Sequence, residues 1–192
     1  MKYLIKVLEA SVVILITSVV LFIGIGLNTS TAKADSVFRV PSSFLDENKK
    51  EWARLEEDIS SSWSKNIVLL WQGEGGSVLI GAEFIQTIRQ AQQEGKMITL
   101  NLIGPAVSMH AFVGCYADRI IYQDGASLNF HAIKAGDGYI TAADAAFWNE
   151  EMSWYARCKD KGLLSTQNIV DIMVNHKMVT IYPGQNITHE DN

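Results

Sequence analysis

The sequence predicts an α/β fold whose core is a parallel sheet made of strand–helix–strand units. Two continuous apolar runs, Asn66–Trp71 and Met97–Ile103, are typical of strands that are buried on both faces, as parallel strands are. Between them, apolar residues from Val78 to Ala91 recur at helical spacing. This order predicts neighbouring parallel strands joined by a right-handed crossover.

The region before the first buried strand predicts a linker followed by one helix. Residues 35–43 contain Pro41 and serines, which favour an irregular connection. Residues 45–63 are densely charged, and their apolar side chains recur at the intervals of an amphipathic helix. Those apolar side chains are Trp52, Leu55, Ile59 and Trp63.

The region after the second buried strand predicts a mixture of short helices and strands. Gly104-Pro105 is expected to open a small-residue helix from Val107 to Tyr116. Short strands are expected at Arg119–Tyr122 and Ser127–Phe130, and helices at residues 141–160 and 166–175. Met178–Tyr182 predicts a final strand or an extended arm.

The N-terminus has the pattern of a secretory signal or a membrane anchor. Lys2 and Lys6 precede Ser11–Leu27, which has no charged residue, and Ala32 and Ala34 form an A-x-A cleavage pattern. Cleavage after Ala34 is one expectation. The other is retention of the apolar run, whose 17 residues approach the minimum for a span. Either outcome places the rest of the chain outside the cytoplasm, in the periplasm, secreted or membrane-anchored.

The expected organisation is a signal or anchor (1–34), a linker with an amphipathic helix (35–65) and one α/β domain (66–192). Without residues 1–34 the chain has 13 basic and 20 acidic residues, a net charge of −7. That balance argues against nucleic-acid binding, which needs a basic surface. Cys115 and Cys158 are free to pair in an oxidising compartment, but sequence alone leaves their pairing open.

Three features with chemical potential follow predicted strands, and each also has a plain structural interpretation. Gly75-Gly76 lets a ligand approach the backbone closely, or simply makes a tight turn. Ser108 stands at the start of a helix, where its hydroxyl is accessible or caps the helix. His131 ends a strand, where it accepts a proton or fills a structural role.

Together these features resemble a known family. The motifs are Gly-Gly-Ser-Val-x-x-Gly from Gly75, Gly-x-Ala-x-Ser-Met-x-Ala-Phe from Gly104, and Phe130-His131. In this order they resemble the Clp protease proteolytic subunit of the ClpP/crotonase superfamily, and secreted or periplasmic Clp-like proteins still more closely. The resemblance covers about Ile67 to His131 and implies a ClpP/crotonase-like parallel sheet.

The resemblance also implies roles for individual residues. Ser108 would be the nucleophile and His131 the general base, while the backbone amides of Gly76 and Met109 would form the oxyanion hole. Asp171 is the nearest candidate for the third member of the triad. His176 lies near another acidic position of the family pattern, so the register there stays ambiguous.

Three residues bear on whether the site follows the family. His110 stands where the family usually has a small residue, and would crowd the site or offer a second base. Glu74 replaces a proline, and its carboxylate would repel anionic substrates. Lys134 offers the alternative of a Ser–Lys dyad, as in relatives of signal peptide peptidase A.

The function that these observations predict is that of an extracytoplasmic, ATP-independent serine peptidase acting on peptides or unfolded chains. We expect a homo-oligomer with membrane association through residues 11–27, and no ATP-driven unfoldase, because ATP is not available in that compartment. No cofactor is expected, and no metal, because the histidines lack a ligand spacing. Alternatives are a catalytically inactive peptide-binding or assembly module at the membrane surface, and a crotonase-type acyl-thioester enzyme using only the oxyanion hole.

Overall fold

The computed structural model of the chain describes residues 35–135, 138–139 and 145–184. The predicted signal or anchor segment, with the apolar run 11–27, lies outside the described residues. Within the described ranges, no helix has the length and apolar character needed to cross a membrane.

The central sheet contains six strands in the described part of the chain, and neighbouring strands are parallel except at one edge. The strands are β1 Ser36–Arg39, β2 Asn66–Gly73, β3 Met97–Val107, β4 Arg119–Tyr122, β5 Ser127–Phe130, β6 Lys134–Ala135, β7 Gly138–Tyr139 and β8 Val179–Ile181. In space the order of the central sheet is β1-β2-β3-β5-β8, β4 also pairs with β3, and β8 runs antiparallel to β5. β6 and β7 form a separate two-stranded ribbon.

Helices connect the strands as the apolar patterns predict. A 3₁₀ turn at Asp46–Asn48 leads into the first helix. The α-helices are α1 Lys49–Ser61, α2 Val78–Gln93, α3 Met109–Gly114, α4 Ala145–Asp160 and α5 Thr166–Met173. The mixed α/β architecture with a mainly parallel sheet is therefore confirmed.

The predicted linker at 35–43 is wrong for its first half, because Ser36–Arg39 is the edge strand β1. These residues pair in parallel with Ile67–Leu70 of β2. Their exposure alternates, and Val37 is 57% exposed, as expected of a short edge strand with one face toward solvent. Four alternating residues next to Pro41 are too short a pattern to separate from a loop.

Gly104-Pro105 does not open a helix but lies inside β3, and α3 begins only at Met109. The register between β2 and β3 shifts here, since Trp71 pairs with Leu102 and Gly73 with Ala106. Proline lacks a backbone N–H and is tolerated in a sheet at such irregularities. β3 also exchanges its partner at this point, from β4 to β5.

A cluster of aromatic rings fills the core between the sheet and helices α1 and α2. Phe44 stacks on Trp52 with ring centroids 4.1 Å apart, and Phe84 stacks on Trp71 at 5.9 Å. All four rings are almost completely buried, each contributing a large apolar area. Trp63 lies beyond the end of α1 and is 84% exposed, so the predicted apolar stripe stops at Ile59.

The two cysteines form a disulfide, which the sequence alone left open. Cys115 follows α3 and Cys158 lies in α4, and their Cα atoms are 4.8 Å apart. Both side chains are fully buried. The bond therefore links the end of α3, the helix that follows Ser108, to α4.

Candidate active site

A cavity of about 270 Å³ lies at the carboxyl ends of β2, β3 and β5. Parallel strands bring the residues that follow them to one edge of the sheet, and here those residues include four of the predicted site residues. They are Gly76, Ser108, Met109 and His131.

Ser108 joins β3 to α3 in a strained conformation. Its φ of 57° and ψ of −122° are uncommon for a residue with a side chain, and such strain costs about 1–3 kcal/mol. Its N–H donates to the carbonyl of Asn129 at 2.8 Å, which fixes the turn to β5. The Ser108 side chain forms no helix cap. The hydroxyl is thus presented to the cavity, and the capping interpretation is not supported.

His131 follows β5 and has a defined tautomer. Its Nδ1 lies 2.8 Å from the carbonyl oxygen of Ala132, and because a carbonyl only accepts, Nδ1 carries the proton. In the neutral form of this ring, Nε2 keeps its lone pair, which is what a general base requires. Among the described residues, no hydrogen bond joins the His131 ring to the Ser108 hydroxyl, although both line the cavity. Catalytic hydrogen bonds often tighten only when substrate binds.

The two glycines of the first motif have conformations that other residues rarely adopt. Gly75 has a φ of 96° and Gly76 a φ of 126°. A Cβ built on Gly75 would lie 2.5 Å from the Cβ of Ser108, and one on Gly76 would lie 2.6 Å from the carbonyl oxygen of Phe44. Both positions therefore need glycine for backbone conformation and for space.

The two residues whose amides are predicted to form the oxyanion hole, Gly76 and Met109, both line the cavity. Met109 is the first residue of α3, so its N–H has no acceptor within the helix. The Met109 side chain packs against Gly81, where any Cβ would overlap it. This contact explains the last glycine of the motif that begins at Gly75.

His110 points away from the cavity into the core, so it neither crowds the site nor offers a second base. Its ring is fully buried, with Nδ1 3.2 Å from the Gly75 nitrogen and Nε2 3.1 Å from the Pro41 carbonyl oxygen. Burial lowers the pKa of His110 from 6.5 to about 4, although the Pro41 carbonyl opposes the shift. The ring is therefore neutral at physiological pH.

Asp171 lies near the end of α5 within its own cluster of hydrogen bonds. It accepts from Asn175 at 2.8 Å and from Gln167 at 3.4 Å, and it pairs with Lys177 at 3.5 Å. The Asn175 hydrogen bond is the main cause that lowers the pKa of Asp171. Among the described residues, none of its hydrogen bonds leads to His131. Its role in a triad stays a prediction.

His176, which falls near another acidic position of the family pattern, makes none of the Asp171 hydrogen bonds described above. His176 adopts a φ of 52° and stacks on Tyr139, with the ring centroids 3.8 Å apart. Lys134 also lies over the Tyr139 ring, with its Nζ 5.1 Å from the ring centroid. Lys134 also lines the cavity that contains Ser108.

Glu151 is a buried carboxylate that bonds the backbone of a cavity residue, Ile133, and the sequence did not reveal it. It is 2% exposed and accepts from the Ile133 N–H at 3.1 Å and from the Tyr155 hydroxyl at 2.9 Å. Burial raises the pKa of Glu151, while these hydrogen bonds and the charge of His131 oppose that rise. A glutamate between Glu150 and Met152 in a charged helix carries no sequence signal of burial.

The cavity also has an apolar wall and two charged groups of opposite sign. Val78, Phe112 and Ile133 line it beside the carboxylate of Glu74 and the ammonium of Lys134. Within the described ranges, no three His, Cys, Asp or Glu side chains come together in a way that could hold a metal ion.

The comparisons with known proteins show the fold alone. No family model matches this sequence, and neither does any curated protein. Among solved structures, a mutant of the 1510-N membrane-bound stomatin-specific protease superposes with a TM-score of 0.58. The alignment is 11% identical and covers 79% of this chain and 73% of that one. At that identity the similarity establishes that the α/β architecture is similar to that of this protease.

Proposed function

We propose that the chain is a serine peptidase of Clp-like type that acts outside the cytoplasm on peptides or unfolded chains. The observation that carries the proposal is the cavity shared by the strained Ser108, His131 and Gly76. A nucleophile, a base with a free ring nitrogen and backbone amides at one cavity are the requirements of acyl transfer. The similarity of the fold to that of a protease supports the same class.

In the proposed reaction the Ser108 hydroxyl oxygen attacks the carbonyl carbon of a peptide bond. The hydroxyl proton passes to Nε2 of His131, and the carbonyl oxygen becomes an oxyanion beside the amides of Gly76 and Met109. Each such donor contributes about 3–4 kcal/mol of transition-state stabilisation. His131 then protonates the leaving amine as the C–N bond breaks, which leaves an acyl ester on Ser108.

Hydrolysis of the acyl ester repeats these steps with water as the nucleophile. His131 takes a proton from water, the hydroxide oxygen bonds to the ester carbon, and Ser108 leaves with that proton. The Ala132 carbonyl, which accepts from Nδ1, holds the ring in orientation throughout. As third member, Asp171 would have to exchange a hydrogen bond of its own cluster for one to His131.

The cavity favours an uncharged, apolar side chain next to the scissile bond. Val78, Phe112 and Ile133 offer apolar contacts, and Glu74 and Lys134 together add no net charge. Peptides or unfolded chains supply such side chains, whereas a folded protein buries them. We therefore expect cleavage of loose chains without selection for anionic substrates.

The proposed compartment rests on the N-terminal pattern and is supported by the disulfide. A buried Cys115–Cys158 bond is typical of proteins in oxidising compartments. Because ATP is not available there, the peptidase would work without an ATP-driven unfoldase. Assembly into a homo-oligomer and membrane association through residues 11–27 belong to the same proposal.

A serine-reactive fluorophosphonate probe tests the activity. The full-length protein should be labelled on Ser108, the label should be absent from Ser108→Ala, and an added peptide with an apolar residue should slow labelling. Circular dichroism on both proteins checks that they are folded. A folded wild-type protein that stays unlabelled would contradict the proposal.

A catalytically inactive peptide-binding module is the second candidate. The observation that favours it is the lack of a Ser108–His131 hydrogen bond among the described residues. If that candidate holds, Ser108→Ala retains peptide binding and the biological effect of the wild type. Loss of the effect with unchanged folding would exclude it.

A further inference from the structure

We propose that His110 is a positioning residue that holds the glycine loop, residues 73–77, in the conformation needed beside Ser108. The inference rests on the proposed function, because the loop carries the Gly76 amide of the oxyanion hole. The Nδ1 atom of His110 supplies a hydrogen-bond acceptor for this loop inside the core.

Both ring nitrogens of His110 have partners that define their protonation. The Gly75 amide, 3.2 Å from Nδ1, can only donate, and the Pro41 carbonyl, 3.1 Å from Nε2, can only accept. The ring must therefore be neutral, with its proton on Nε2. His110 thus bridges two backbone segments that are 34 residues apart in sequence.

The surroundings of His110 fix the ring in this place. Its centroid lies 4.4 Å from that of Phe44, 5.1 Å from Trp71 and 5.9 Å from Trp52. The Trp71 indole N–H donates to the His110 backbone carbonyl at 3.0 Å. Gly73 leaves the space that the ring occupies, since a Cβ at Gly73 would overlap Nε2.

The glycine loop is held by hydrogen bonds to Ser42, Phe44 and the His110 ring, and the Gly75 carbonyl also accepts from the Phe44 N–H at 2.6 Å. The Glu74 N–H donates to Ser42 at 2.9 Å and the Ser77 N–H donates to Phe44 at 2.6 Å. The Gly75 N–H donates to the His110 ring. The next amide along the loop belongs to Gly76, which lines the cavity.

His110 also connects the loop to the nucleophile, because its ring bonds the loop and its backbone is close to Ser108 in sequence. It is the second residue of the short helix α3, and Ser108 directly precedes that helix. Without an acceptor at Nδ1, the Gly75 N–H would be buried and unpaired, so the loop would rotate toward another partner. The Gly76 amide would turn with it, and loss of one oxyanion-hole donor lowers the rate by about 10²- to 10³-fold.

Three variants of the full-length chain test the inference, because they differ in which ring nitrogen of His110 they replace with a polar atom. His110→Asn places an acceptor oxygen where Nδ1 stands, His110→Gln places a polar group nearer to Nε2, and His110→Leu supplies neither. The fluorophosphonate labelling rate of Ser108 should stay within about tenfold of wild type in His110→Asn. In His110→Gln and His110→Leu it should fall about 10²-fold or more.

The control for general loosening of the core is Phe84→Leu, a buried ring of the same cluster that packs on Trp71 and Phe44 and has no polar side-chain atom to bond the loop. It should lower the unfolding midpoint and leave the labelling rate unchanged. The inference would be overturned if all three His110 variants lost labelling rate equally. It would also be overturned if folded His110→Leu were labelled at the wild-type rate.

Residue-resolved hydrogen exchange of the Gly75 amide separates failure of this inference from failure of the proposed function. The amide should be protected in wild type and His110→Asn, and should exchange faster in His110→Gln and His110→Leu. This holds whether or not Ser108 reacts with the probe. Fast exchange in the wild type would overturn the role of His110 by itself.

Discussion

Gly75 packs directly against Ser108, since a Cβ built on Gly75 would lie 2.5 Å from the Ser108 Cβ and 3.1 Å from its Oγ. Gly75 also has a φ of 96°, which a residue with a side chain adopts only under strain. Gly75→Ala should therefore displace the nucleophile and destabilise the fold by about 1–3 kcal/mol. Urea unfolding measures the destabilisation, and probe labelling measures the displacement.

Gly125→Ala is the matched control for that substitution. Gly125 has a similar positive φ of 77°, but nothing lies within 4 Å of its Cβ position. This variant should show the backbone strain without a loss of Ser108 labelling. Equal labelling of both alanine variants would mean that the Gly75–Ser108 contact does not shape the site.

His131 should matter more for reactivity than Lys134, although both side chains line the cavity. The Ala132 carbonyl fixes the His131 tautomer with a free Nε2, whereas the Lys134 ammonium contacts the Tyr139 ring and is exposed. Removing a general base typically costs about 10²- to 10⁴-fold. His131→Ala should show such a loss in labelling rate, and Lys134→Met a much smaller one. The reverse order would assign the base to Lys134.

The parts of the fold that were predictable from sequence are those in which local pattern and tertiary environment agree. Strands Arg119–Tyr122 and Ser127–Phe130 begin and end where the apolar pattern predicts. Ser36–Arg39 and Gly104-Pro105 were missed because a neighbouring strand, not their own composition, makes them extended. A four-residue edge strand and a proline at a register shift carry little local signal.

The same distinction applies to the site residues. Ser108, His131 and Gly76 follow strands, so their convergence at one cavity could be inferred from strand order. The inward direction of His110 and the burial of Glu151 depend on partners far away in sequence, Pro41 and Ile133 respectively. Polar residues are usually exposed, so their burial is the feature that sequence reasoning misses.

Protonation of His110 should destabilise the fold at acidic pH. The pKa is about 4 in the folded state and 6.5 in the unfolded reference, so between these values the unfolded chain binds more protons. The free energy of unfolding should therefore fall as pH decreases from about 6.5 to 4, by about 3 kcal/mol in total. Urea unfolding of wild type and His110→Asn across this range measures the contribution.

The contribution of His110 is isolated by the difference in the free energy of unfolding between those two proteins at each pH. This difference is needed because Glu151 changes the free energy of unfolding with pH in the opposite direction. The folded pKa of Glu151 is raised, so the folded state retains its proton to higher pH than the unfolded state. Glu151 is present in both proteins and cancels. A wild-type profile parallel to that of His110→Asn would contradict the buried, neutral histidine.

Glu151 should stabilise the strand end at His131 mainly as a hydrogen-bond acceptor. Glu151→Leu would leave the Ile133 N–H and the Tyr155 hydroxyl without their acceptor, at a cost of about 2–4 kcal/mol. Glu151→Gln keeps an acceptor oxygen and should cost much less. Urea unfolding distinguishes them, and equal destabilisation would show that the charge, not the acceptor, is what matters.

Loss of the Cys115–Cys158 disulfide should destabilise the fold strongly. The bond closes a loop with a sequence separation of 43 residues, for which the restriction of the unfolded chain is worth about 4 kcal/mol. The double substitution Cys115→Ser with Cys158→Ser should lower the free energy of unfolding by about that amount, because it removes this restriction. It also removes the covalent link between the end of α3 and α4. Urea unfolding under non-reducing conditions measures the difference.

A reductant should reproduce this loss in the wild type and leave the double variant unchanged. Reduction should also slow Ser108 labelling, because the disulfide holds the helix that begins at Met109 against the helix that carries Glu151. If reduction lowers stability and labelling stays at the wild-type rate, the site depends on the strand ends and the glycine loop alone. If stability itself is unchanged, the two cysteines do not pair in the folded protein.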